Sequence, residues 1–188
     1  MRFISNLLPQ LNAAANPSSA VPPATEKRES PALASVVSVL EAGGEGQLIK
    51  DDLSLKTHYS LANARTHAIT MTSLSLAELA QANPSISFVH SFLGVVRTGI
   101  IRELGAVSRM VVRAGWALAW PWMVPIEESG ERHLYAAVGL KRETGKPHLV
   151  GSNSEPRGNW NLLEELKAEK VGEEVWRHTL DVFGRICG

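Results

Sequence analysis

Apolar residues at helical spacing open the chain: Phe3, Leu7, Leu8 and Leu11 predict a helix over residues 2–14 that starts without a capping residue. Residues 33–40 then form a short apolar, β-branched run, as expected of a strand buried on both faces. The spacing predicts a long helix over 60–81, with Leu61, Ala68, Met71, Leu74, Leu76 and Leu79 as its apolar stripe and Asn83-Pro84 as its stop. Ile86 to His90 reads as a second buried strand. Strand, helix and strand at this spacing make a βαβ unit with a parallel pair. Further on, residues 100–120 carry a helical pattern broken by Pro121, Glu131 to Leu140 a short helix, and His148 to Val150 a last strand. Residues 159–184 form one amphipathic helix or a pair interrupted at Gly172.

Between the first helix and first strand, residues 16–31 are rich in Pro, Ser and charge, which predicts a disordered insert or surface loop. Gly43, Gly44 and Gly46 follow the first strand and read as a flexible loop. They open no helix at once, so they lack the form of a phosphate-binding turn.

The 188 residues carry nineteen basic and nineteen acidic side chains. A formally neutral chain leaves no electrostatic footprint for nucleic acid or an anionic membrane. No run approaches the ~18 uncharged apolar residues of a membrane-spanning helix. Cys187 stands alone, so neither an internal disulfide nor a cysteine zinc site can form, which fits a reducing, cytoplasmic setting. The six histidines share no metal-ligand spacing and read as structural. Trp116, Trp120 and Trp122 with Met123 form an aromatic cluster, readable as core packing, as a pocket wall or as a membrane contact flanked by Arg109 and Arg113.

Several segments, in order, resemble the short-chain dehydrogenase/reductase family in its fungal, retinol-dehydrogenase-like members. These are Leu7-Leu8-Pro9, the strand Ser35 to Leu40 with its turn at Gly43, the helix segment Ala68 to Ala80, and Ile86 through Thr98-Gly99. The resemblance implies an α/β fold: the C-terminal portion of a doubly wound, Rossmann-like parallel sheet, with the N-terminal cofactor-binding strands missing. The chain is then a single, partial domain over 1–188. The same resemblance leads one to expect a strand, glycine-rich turn and helix encoded upstream of Met1, with the insert at 21–31 a retained intron.

The resemblance also implies an oxidoreductase that transfers hydride between NADP or NAD and a small carbonyl or alcohol, as in fungal secondary metabolism. Such sites use a tyrosine as general acid, a lysine four residues on and a serine. Counted without gaps, the tyrosine position holds Leu61 and the lysine position Arg65. Tyr59 lies two residues before Leu61 and is the candidate acid, provided the helix starts after it. The serine position holds Leu40, and Ser38, two residues earlier, keeps the same strand face. Arg65 and Thr98 are the candidate cofactor contacts; Leu93 replaces the family's proline. The rival expectation is an inactive remnant or partner-binding module that binds no cofactor and self-associates through an exposed sheet edge.

Overall fold

A computed structural model describes residues 1–16, 34–92, 94–96, 102–140, 143 and 145–187. The insert expected at 16–31 falls almost wholly outside them, as do Leu93 and Thr98. Three strands form the central sheet: β1 (Ser35–Leu40), β2 (Ser87–Phe92) and β5 (His148–Val150), in the order β1-β2-β5. All pairings are parallel, with Ser38 opposite His90 and His90 opposite Leu149. A parallel pair needs a crossover, and α2 (Leu61–Ala82) supplies it between β1 and β2. Two short strands, β3 (Val95–Val96) and β4 (Met123–Val124), pair beside it.

Alternation along the strands divides the core. Val36, Phe88 and Leu149 face one side, which is covered by α1 (Arg2–Ala15), α2, α5 (Trp160–Ala168) and α6 (Val171–Cys187). Val37, Val89 and Val150 face the other, where α4 (Ile126–Val138) packs through Ala136. Helices on both faces of a parallel sheet make a doubly wound arrangement, compatible with a partial Rossmann-like fold. The interior is dense: Leu76 and Phe88 are fully buried, worth about 2–3 kcal/mol each. Between β4 and the preceding β3 runs α3 (Ala106–Ala119), none of whose residues is buried.

Two sequence expectations need correction. Leu61 belongs to no stripe; it is 81% exposed, because the first turn of α2 stands clear of the sheet. Serine and threonine take up much of the buried helix face instead: Thr70, Ser73 and Ser75 are all buried. Gly172 does not break the C-terminal helices. The break falls at Glu169–Lys170, where Lys170 adopts φ 60°, and Gly172 lies inside α6. It lies where α6 packs on α2, and a Cβ there would meet only the flexible end of the Glu78 side chain, Oε1 at 2.5 Å.

Candidate functional site

In a doubly wound sheet, ligands gather at the carboxyl ends of the strands. At the end of β1, Glu41 receives both Arg65 Nε, at 2.8 Å, and the Arg65 terminal nitrogen. This bidentate pair ties the first turns of α2 to the strand end and raises the arginine's pKa through the carboxylate hydrogen bond. Arg65, the expected cofactor contact, therefore has its charge already answered within the protein.

The glycine loop that follows is pinned rather than flexible. Glu45 is buried and its carboxylate accepts the Gly43 N–H, the Ser73 hydroxyl at 2.8 Å and the Asn159 N–H at 3.1 Å. One acidic side chain thus joins the end of β1, the middle of α2 and the start of α5. Since Ser73 donates to Glu45, it accepts from His90 Nδ1 at 2.8 Å. His90 is therefore the Nδ1-protonated tautomer, and its buried Nε2 has no partner. Burial lowers the His90 pKa from 6.5 to about 4, against the opposing pull of Glu45.

Asp52 organises the next loop. Its nearly buried carboxylate accepts the N–H groups of Lys56, Thr57 and His58 and the Thr57 hydroxyl. The Thr57 hydroxyl and then these amides hold it well below the usual carboxylate range, against desolvation. His58 Nδ1 lies 3.2 Å from the same carboxylate. Tyr59 follows, 67% exposed, and Ser60 then caps α2 by accepting the Asn63 N–H. The helix begins at Leu61, so Tyr59 meets the condition set by the sequence and its ring escapes the helical face count.

Ser38 sits inside β1, at the register of His90, and lines a groove between β1 and α1. Among the described residues no hydrogen bond joins Tyr59 and Ser38. Arg65 and Tyr59 flank the start of α2, whereas Thr98 lies outside the described residues. Of the tryptophan cluster, Trp120 is 71% exposed and no residue of α3, Trp116 included, is buried. With Met123, Val124, Pro125 and Ile126, Trp120 lines an apolar cavity of about 450 Å³. Its floor is β4, which β3 connects to the end of β2.

Sequence reasoning missed Glu45 and Asp52, and it read His90 as a structural histidine in a buried strand without a partner. A carboxylate beside glycines looks like a surface position. The usable signal was the polar composition of α2, whose serines and threonines face the sheet and need buried partners.

Comparison with known proteins places these features among fungal oxidoreductases. An oxidoreductase of Emericella nidulans is 34% identical over 95% of the chain. One of Emericella variicolor is 30% identical over the whole of this chain. An NmrA-like family domain-containing oxidoreductase of an Aspergillus strain is 28% identical over 97%. The chain spans only 54–59% of the length of these relatives. No protein-family model matches the chain, and no solved structure does.

Proposed function

We propose that this chain supplies the substrate side of a short-chain dehydrogenase-like oxidoreductase that acts on a small carbonyl or alcohol. The observation that carries the reading is the similarity to fungal oxidoreductases over nearly the whole chain. A parallel sheet with Tyr59 and the Trp120 cavity at the carboxyl side of its strands supports it. In this reading Tyr59 O–H gives a proton to the substrate oxygen on reduction and takes it back on oxidation. Ser38 and Arg65 are assigned secondary roles, in orienting the oxygen and in local charge.

The nicotinamide dinucleotide of such enzymes is a poor match to the residues present. Its pyrophosphate needs open backbone N–H groups over glycines at a helix N-terminus. Here Gly43, at φ +88°, is filled by the Arg157 side chain, Gly44 abuts Ile69 and Arg65, and Gly46 abuts Thr66. The Gly43 N–H already belongs to Glu45. No step is therefore routed through the dinucleotide on this chain, and the choice between NAD and NADP has no determinant among the described residues. The same observation favours a second reading for the chain by itself, a non-catalytic module of the same fold.

Two measurements test the readings, and the second separates them. Calorimetric titration of the chain with NADPH is expected to show no binding in the low micromolar range. In a preparation that reduces an aromatic aldehyde, Tyr59→Phe should lower kcat by about 10²–10⁴-fold. Equal turnover by both proteins removes Tyr59 from the chemistry.

A further inference from the structure

Helix α3 carries its apolar stripe outward. At about 100° per residue, Val107, Met110, Val111 and Leu118 fall within one sector about 100° wide. In a globular protein such a stripe normally faces the core. Here the four side chains are between 67% and 79% exposed. The half-buried positions, Arg109, Val112, Trp116 and Ala119, lie on the opposite side of the helix. The outward apolar surface continues past the helix end, where Trp120 is 71% and Ile126 60% exposed along the 450 Å³ cavity. Single exposed apolar side chains are ordinary, but a contiguous patch of this kind marks an interaction surface.

Charge narrows the kind of surface. The chain as a whole is neutral, yet residues 104–126 hold two charged side chains, Arg109 and Arg113, and no acidic one. Both arginines lie along one flank of the stripe, and Ser108 and Gly115 lie along the other. Tryptophans gather at the C-terminal end, at positions 116, 120 and 122. An apolar stripe with arginines beside it and tryptophan at its end suits a helix lying in a lipid–water interface. Arginine stems run along the apolar surface while their heads reach the phosphates, and indole rings favour the headgroup level. No helix among the described residues is long and apolar enough to cross a membrane, so the contact lies in the plane of the interface. A second copy seated on the same stripe would instead bring like charges together around it.

We propose that the outward stripe of α3, with Trp120 and Ile126, docks on a membrane surface that contains anionic lipid. The fourteen residues of the helix present a strip about 20 Å long. Its apolar side chains enter the headgroup boundary, and Arg113 and Arg109 meet lipid phosphates and carboxylates. This inference does not depend on the oxidoreductase reading.

The test floats the 188-residue chain on a density gradient with vesicles of phosphatidylcholine, or of phosphatidylcholine with about one-quarter phosphatidylserine. Bound protein rises with the vesicles, whereas aggregates sink. Binding to the anionic vesicles is expected, with tryptophan emission shifted to shorter wavelength, and about tenfold or more weaker binding to the neutral ones. Val111→Asp and Leu118→Asp, both at exposed positions, should leave the circular dichroism unchanged and lower binding about tenfold or more. Arg113→Gln keeps the stripe and should lower the preference for anionic vesicles about fivefold. Phe3→Asp, at a 76% exposed position on α1, is the control and should leave binding unchanged. The proposal is overturned by absence of flotation, by equal binding to both kinds of vesicle, by an unchanged preference in Arg113→Gln, or by an equal loss in Phe3→Asp. A dimer in sedimentation equilibrium that Leu118→Asp dissociates would give the stripe to a second copy and overturn it as well.

Discussion

Replacing His90 with Asn should flatten the acid side of the stability profile. His90 is fully buried, and its folded pKa lies near 4, against 6.5 for a free imidazole. Between those values the unfolded chain binds a proton that the folded chain refuses, so stability falls as pH falls. The whole interval corresponds to about 3 kcal/mol at 1.36 kcal/mol per pH unit, of which about 2 kcal/mol is lost by pH 5. The groups around the ring are the Ser73 hydroxyl, Glu45 behind it, and Ser38 and Leu149 on the flanking strands. Only Glu45 among them carries charge, and it favours the protonated ring, which limits the loss. Asn at this position offers its amide N–H to Ser73 in place of Nδ1 and does not titrate. Urea midpoints from about pH 7.5 to about pH 4.5, converted to free energies, give the comparison. The wild type should lose roughly 2 kcal/mol more than His90→Asn on going from pH 7.5 to pH 5. Parallel curves would refute a neutral, buried His90.

Removing the Glu45 carboxylate as Glu45→Ala should cost on the order of 3 kcal/mol in chemical denaturation, because the Gly43 and Asn159 N–H groups and the Ser73 hydroxyl lose their acceptor together. A loss below about 1 kcal/mol would show that water replaces the carboxylate. Gly94→Ala should lower stability by about 1–3 kcal/mol, since φ is +77° and a Cβ would lie 2.9 Å from Val124 Cγ2 and 3.0 Å from Ser152 Cβ. An unchanged melting temperature would contradict the tight junction of β2 with β4.

Much of the framework was legible from periodicity alone. The β-branched run at 33–40 and the long pattern over 60–81 ended by Asn83-Pro84 became β1 and α2 with boundaries within two residues. Periodicity failed where polar residues replace apolar ones in the interior. Ser73 and His90 satisfy one another and Glu45, so they carry no hydrophobic signal although they are buried. Leu61 fails in the opposite sense, being apolar and exposed at the first turn of α2. For the site, Tyr59 and Arg65 could be proposed by position, but the Glu41 partner of Arg65 comes from a different element and depends on tertiary placement. The closed glycine loop was hidden for the same reason, because Arg157 reaches it from the far side of the sheet in sequence.

The exposure of α3 has a consequence for how the molecule opens. A fourteen-residue helix with no buried residue buries little apolar surface against the other described residues, and an isolated helix of that length is marginal in water. Its backbone bonds therefore open with a free energy close to that of the helix–coil transition, far below that of the sheet. Segment 106–119 behaves as a separate low-stability unit, and Arg109 and Arg113 lie within it. Under native conditions trypsin reaches these two bonds through local fraying, so cleavage there is insensitive to substitutions such as Glu45→Ala that weaken the core. A nick at this place divides the polypeptide into a 1–109 piece holding β1, α2 and β2 and a remainder holding β5 and α6, which the packing of α6 on α2 and of β5 on β2 keeps together.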